Sequence, residues 1–269
     1  MGVLNVTPDS FFDGGRYVEA EASRQRVDRL LAEGAAIIDI GAESSRPGAS
    51  PVPAAAQMDR LEPALKYAVS RGAMVSIDTT SAEVADGALR LGARLVNDVS
   101  CLSDAELAAT AARHGATLVL MHARGALGGM KAFSDYPDGG YGDVVRDVRS
   151  EWRAARDRAT ARGLAPEDVW LDPGIGFAKN ARQSFELLGR LGELTNEGVP
   201  VVVGPSRKSF IAAVDGAVAN ERIGGTIAAC LLAAERGARV LRVHDVQAVG
   251  QALGVARRAR EASLPEAHG

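Results

Sequence analysis

The 269 residues are 46% hydrophobic and 24% charged, with 30 glycines; this ordinary globular composition excludes a disordered, collagenous or coiled-coil chain and, at about 150 residues per domain, allows one large domain or two small ones. The 31 Lys and Arg against 34 Asp and Glu leave a net charge of -3, so no basic field draws nucleic acid nonspecifically. Two cysteines, Cys101 and Cys230, with no CxxC spacing and no histidine nearby, exclude a disulfide framework and a sequence-readable zinc site. A reducing, cytoplasmic setting follows, with no apolar run of about 18 residues to cross a membrane and no signal peptide.

Short Val- and Ile-rich runs alternate with longer helical stretches along the whole chain. Residues 3–6 read as the first strand, an abrupt opening that leaves room for native residues ahead of Met1. A loop over 7–16, punctuated by Gly and Pro, leads to a helix over 18–33 and a second strand over 36–40. A similar loop over 41–53 precedes the third strand, 74–77, a helix over 83–91 and the fourth strand, 95–99. A helix over 105–114 and a fifth strand over 117–121 follow. The long connection 122–140 reads as a flexible loop above the sheet, before a helix over 141–162 and strand six over 169–171. A helix over 184–196, strand seven over 199–203, a helix over 222–236 and strand eight over 240–243 complete the series, and 262–269 reads as a frayed tail.

Strands alternating with helices mean parallel βαβ units, and near-continuously apolar strands are buried on both faces. Eight such units in 269 residues match an α/β fold of the TIM (β/α)8 barrel type, which takes about 250 residues. No linker divides the chain, so 1–269 is expected to be a single domain. A doubly wound sheet is the alternative, but its first turn should carry GxGxxG. Here that turn reads Asn5-Val6-Thr7-Pro8-Asp9-Ser10, and the later Gly174-Ile175-Gly176 fails the fingerprint as well. Gly204-Pro205-Ser206-Arg207-Lys208-Ser209 ends like a P-loop but lacks the glycine directly before Lys.

Polar residues stand at the C-terminal end of nearly every strand: Asn5, Asp39 with Glu43, Asp78, Asn97 with Asp98, His122, Asp172, Ser206-Arg207-Lys208, and Arg242 with His244. Any one of them could cap the next helix, which is reading enough for Asp104 and serves for Asp98. Eight ends in register, with Arg, Lys and His among them, point instead to a site on the face where barrel enzymes carry their chemistry. Asp78, Asn97 and Asp172 suit the donor-rich edge of a guanidine-like heterocycle, since carboxylates accept paired N–H bonds. For Asn97 alone a structural hydrogen-bond network serves equally well. Asn5, Arg242 and His244, with Lys208 close by, would grip a phosphate or pyrophosphate, Arg through its planar fork. His244 alone reads better as a helix cap; beside Arg242 the anion role gains. The loops over 7–16 and 41–53 exceed the usual length of about 2–6 residues, as covers over a site do.

Together these motifs resemble the dihydropteroate synthase family. Met1 to Phe11 followed by Asp13-Gly14-Gly15 is similar to its opening signature, and Glu43-Ser44-Ser45-Arg46-Pro47-Gly48 to its second. Ser76-Ile77-Asp78-Thr79, Asn97-Asp98, Leu120-Met121-His122, Asp172 to Phe177, Ser206 to Phe210 and Arg242-Val243-His244-Asp245 follow in family order. The resemblance implies a transferase of folate biosynthesis that joins p-aminobenzoate to 6-hydroxymethyl-7,8-dihydropterin diphosphate. It assigns Asp78, Asn97, Met121, Asp172, Lys208 and Arg242 to the pterin, and Asn5, Arg242 and His244 to the diphosphate. Asn5 would also take part in binding Mg2+. Phe11, Ser45, Arg46, Pro47, Phe177, Lys179 and Ser209 match positions around p-aminobenzoate, Ser45 standing where Thr is frequent. The helix starting near Ser209 is expected to offer free N–H groups to the substrate carboxylate. The resemblance also implies sensitivity of this enzyme class to sulfonamides, and a homodimer formed through helices on the later half of the barrel. Three positions depart from the family pattern: Phe12 for Ser, and Ala42 and Ala178 for Gly. A pterin-binding methyltransferase on the same barrel would share the pterin contacts but would not need the anion clamp. A noncatalytic pterin-binding barrel would be expected to lose anion or metal residues, and none is lost here.

Overall fold

The structure, a computed structural model, describes residues 1–7, 16–43, 52–125, 136–137 and 140–263. Strands β1 (Gly2–Asn5), β2 (Ile37–Gly41), β3 (Met74–Asp78), β4 (Leu95–Asp98), β5 (Thr117–Met121) and β6 (Val169–Asp172) pair in parallel in chain order. Strands β7 (Val202–Val203) and β8 (Val240–Leu241) form a second parallel pair. Parallel bridges from Leu171 to Val201 and from Gly2 to Val243 join β6 to β7 and β8 to β1. Eight strands therefore close into a barrel, as the strand–helix alternation predicts. β7 is shorter than expected because Pro200 has no N–H for the ladder; its carbonyl still accepts from Leu171 N at 3.0 Å.

Ten helices surround the barrel among the described residues: α1 (Arg16–Ala32), α2 (Ala54–Ser70), α3 (Ala82–Arg90), α4 (Ala105–His114), α5 (Val144–Thr160), α6 (Ala181–Gly189), α7 (Gly192–Thr195), α8 (Ala212–Asp215), α9 (Ile223–Glu235) and α10 (Val246–Ser263). Local chemistry sets several starts. Asp104 accepts from Glu106 N at 3.0 Å, Asp143 from Val145 N and Arg146 N at 3.0 Å, and Asn180 forms a capping box with Gln183. The stretch expected as one helix over 184–196 is two, α6 and α7, separated at Arg190 and Leu191. The last helix, α10, takes in Ala262 and Ser263; the rest of the expected tail lies outside the described residues.

Side chains alternate along each strand between two cores. Leu4, Ile38, Ile40, Val75, Ile77, Val96, Leu118, Leu120, Val169, Leu171, Val201 and Val203 face the helices and form the larger core. Ile37, Leu95, Val119 and Val202, with Met1, Trp170 and Val240, fill the barrel interior. Four of these, Ile37, Leu95, Trp170 and Val240, come from the even-numbered strands, one layer of alternate-strand packing. Two residues further along the same strands stand Asp39, Asn97, Asp172 and Arg242. The apolar floor and the polar layer above it are thus successive turns of one alternation.

Candidate active site

The polar layer is tied together by Arg242. Its Nε donates to Asp39 Oδ2 and its Nη2 to Asp78 Oδ2, each at 2.6 Å. Asn97 Nδ2 reaches Asp39 Oδ2 at 3.4 Å, and Asp39 Oδ1 is buried without a partner among the described residues. Asp39 is the residue that motif reasoning left out of the site. Its signal was parity: it follows Ile37 by two and so shares the interior face. Asp98 has the opposite parity. Its carboxylate accepts from Ser100 N at 2.9 Å, Ser100 Oγ at 2.5 Å and Leu102 N at 2.6 Å, and so shapes the loop before α4. Glu43, likewise just beyond a strand end, accepts from Val52 N at 3.1 Å and Gln57 Nε2 at 3.2 Å and ties the end of β2 to the start of α2.

Crowding carboxylates in a dry layer shifts their protonation. Burial pushes Asp78 up to about 7 against the pull of Arg242, with Asp39, Asp98 and Glu43 adding to the rise. Burial raises Asp172 too, opposed by Lys208. Asp172 accepts from Gly174 N at 2.7 Å through Oδ1. Lys208 donates to the carbonyl of Ile175, and its Nζ lies 4.3 Å from the centre of the Phe177 ring. Burial lowers Lys208 to about 8, with Asp172 opposing. Met121, Val99 and Phe177 form a small apolar cluster at the same mouth. This end of the barrel therefore offers acceptors at one edge, a cation and apolar faces, which suits a flat heterocycle rich in N–H groups.

On the other side of the mouth, Asn5 ends β1 with an exposed side chain. His244 is held by Ser206, whose Oγ accepts from His244 N at 3.2 Å and lies 3.0 Å from Nδ1. The hydroxyl has one proton to give and Nδ1 lies within its reach; when it donates there, the ring proton stands on Nε2. Burial, with Arg242 and Arg207 nearby, lowers His244 to about 4, so the ring is a neutral donor at pH 7. Arg207 pairs with Asp245 through two bonds of 2.9 and 2.6 Å.

The structure brings together Asn5, Asp78, Asn97, Met121, Asp172, Phe177, Lys208, Arg242 and His244, all at the carboxyl ends of the strands or just beyond them. Ser209 lies beside them, but the element it starts is a single 3-10 turn, Ser209–Ile211, running into the four-residue α8. The segment is helical from Ser209 onward but short, so it offers first-turn N–H groups with fewer aligned peptide dipoles than a long helix. Lys179 is fully buried behind Phe177, with Nζ bonded to His122 Nδ1 at 3.0 Å and Phe177 O at 2.9 Å. Phe11, Ser45, Arg46 and Pro47, with Phe12, lie outside the described residues, as does most of the long connection after β5.

Residues 1–244 match the family of pterin binding enzymes. The dihydropteroate synthase of Synechocystis sp. is 44% identical over 259 residues, covering 95% of this chain and 88% of that protein. Among solved structures, Xanthomonas albilineans dihydropteroate synthase with 4-aminobenzoic acid is similar at a TM-score of 0.89 and 38% identity, over 98% of this chain and 93% of that one. The same enzyme in complex with 7,8-dihydropteroate is similar at a TM-score of 0.84 and 35% identity, over 98% and 94% of the two chains.

Proposed function

The chain belongs to the dihydropteroate synthases, within the pterin binding enzymes, and from that premise we propose how its own residues divide the reaction. The reaction condenses p-aminobenzoate with 6-hydroxymethyl-7,8-dihydropterin diphosphate to give 7,8-dihydropteroate and pyrophosphate. The observation that carries the assignment is the single layer in which Arg242 joins Asp39 and Asp78 beside Asn97 and Asp172. Asp172 accepts paired N–H bonds from the pterin, with Asn97 and Asp78 completing the polar edge and Lys208 donating. Met121 packs against the ring.

Arg242 lies along the pterin and, with neutral His244 donating from Nε2 and with Asn5, takes the diphosphate. Ionisation of the diphosphate leaves a pterin-stabilised cation that the arylamine nitrogen attacks; a proton then leaves the nitrogen. This route asks the protein to neutralise charge on the leaving group more than to supply a strong base. The mouth accordingly holds Arg, His and Lys, and the Ser206 hydroxyl there serves to hold the His244 ring. Among the described residues no group of three His, Cys, Asp or Glu could hold a metal alone. Asn5 contributes one neutral oxygen, which fits an Mg2+ that keeps its waters and takes most of its ligands from substrate phosphates. The ion would neutralise the departing pyrophosphate. Phe11, Ser45, Arg46, Pro47, Phe177 and Ser209 surround p-aminobenzoate, with Lys179 supporting from behind.

The working form is a homodimer. Ile223 and Leu232 on α9 and Val255 on α10 leave apolar surface exposed on adjacent helices of the later half of the barrel, which supports that reading. The two free cysteines suit a reducing cytoplasm. A coupled assay of pyrophosphate release, with product identified by mass, tests the function. Release that requires p-aminobenzoate, the pterin diphosphate and Mg2+ is expected. Absence of dihydropteroate from a folded sample at saturating substrates and metal would count against it.

A further inference from the structure

The turn that carries Phe177 is held from outside the site. Ala178 stands at φ 47°, a left-handed conformation that a residue with a Cβ adopts only when its surroundings impose it. Two consecutive carbonyls of this turn are gripped by buried side chains. Lys179 Nζ donates to Phe177 O at 2.9 Å, and Tyr141 Oη donates to Ala178 O at 3.0 Å. Each grip leads back through one further residue to the same carboxylate.

The first path runs through His122, at the end of β5. Lys179 Nζ lies 3.0 Å from His122 Nδ1, and His122 Nε2 lies 2.9 Å from Glu151 Oε2 on α5. The ionised Glu151 carboxylate can only accept, so Nε2–H donates to it and Nδ1 of the neutral ring accepts from Lys179 Nζ. Glu151 thus sets the tautomer that lets His122 receive Lys179. His122 O, at 3.4 Å, completes three acceptors around the amine. The second path runs through Arg124, which forms a two-pronged pair with Glu151 and lies 3.8 Å from the centre of the Tyr141 ring.

We propose that Glu151, His122, Arg124 and Tyr141 are positioning residues of the p-aminobenzoate pocket, acting through Lys179 and the Phe177–Ala178 turn. The inference rests on the reading of Phe177 as a wall of that pocket. Glu151 lies on α5, outside the barrel mouth, and none of the motifs that identify the family contains it. Gly174 allows the close approach: it sits at φ 66°, and a Cβ there would overlap His122 O and crowd Lys179 Nζ. Burial lowers His122 to about 4 and Lys179 to about 7. The histidine is thus neutral at pH 7, in keeping with the acceptor role of Nδ1.

The test separates positioning from bulk stability. Glu151→Leu and Lys179→Met should each raise the KM for p-aminobenzoate by roughly 5- to 50-fold, the scale of a buried polar group left unpaired. The affinity for 6-hydroxymethylpterin, measured by calorimetry, should stay within about twofold, since no pterin contact is removed. Tyr141→Phe, which deletes only the bond to Ala178 O, should give a smaller rise in the same constant. The double variant Glu151→Leu/Lys179→Met should be no worse than the poorer single one, because the two lie on one path. A parallel loss of pterin and p-aminobenzoate affinity, unchanged constants, or multiplying effects would overturn the inference. A readout independent of turnover is the 15N spectrum of the His122 ring at pH 7. Nε2 protonated and Nδ1 bare is expected in the wild type, and a protonated Nδ1 would break the relay. Failure of the wild type to form dihydropteroate would refute the function instead, and the ring spectrum would still decide the relay.

Discussion

Ala178 is the residue at which the chain departs from a frequent glycine and also from ordinary backbone geometry. Its φ of 47° is left-handed, which costs a residue with a Cβ about 1–2 kcal/mol. Ala178→Gly removes that cost but loosens the unfolded chain by about 0.5–1 kcal/mol. The net effect should be a gain of between zero and about 1.5 kcal/mol in denaturant unfolding. A clear loss of stability would mean that the Ala178 methyl contributes packing that outweighs the strain. The same scale shows what sequence reading can reach. Asp39 and Asp98 are both carboxylates near strand ends, but Asp39 shares parity with Ile37 and turns inward. Asp98 turns out and holds Ser100 and Leu102. The alternation was legible in the residues, whereas the reach of Arg242 across the barrel to β2 and β3 was not. That contact depends on closure of the strands.

The elements at the end of β5 and along α5 carry a titration. His122 falls from its ordinary 6.5 to about 4, chiefly by burial, then by the charge of Lys179, with Glu151 opposing and Arg124 adding slightly. Between pH 6.5 and 4 the unfolded chain binds the proton and the folded one does not, so stability rises with pH across that window. It is complete above about 6.5 and is lost as the pH falls, by on the order of 3 kcal/mol for this one group. His122→Gln should flatten the stability profile over that range, measured by denaturant midpoints at stepped pH. An unaltered slope would assign the acid lability elsewhere.

The start expected at 105 coincides with the Asp104 cap of α4, whereas the start expected at 141 falls at Val144, after the Asp143 cap. The pattern is blurred where α2 follows Pro53 and contains Pro63, and along the Arg- and Ala-rich α10. The segment after Ser209 is short because Gly216, in a left-handed conformation, ends it within two turns.

At the scale of the whole molecule, the barrel makes its site by adding one polar layer to an apolar one. Ile37, Leu95, Trp170 and Val240 close the interior, and Asp39, Asn97, Asp172 and Arg242 stand one alternation above them on the same strands. The eight-unit plan was legible because a βα unit of ordinary length repeats along the chain. Closure at β6–β7 and β8–β1 rests on single bridges that no local pattern announces. The central claim is that this layer, and Asp172 in particular, receives the pterin in a site closed to water. Calorimetric titration of 6-hydroxymethylpterin into the wild type and Asp172→Asn tests it most directly. The substitution keeps the size but removes a charge and turns an acceptor into a donor. Loss of a charge-assisted bond costs about 1.5–3 kcal/mol, so affinity should fall by roughly 10- to 150-fold. Equal affinity in a variant that folds and melts like the wild type would contradict the account and remove Asp172 from the site.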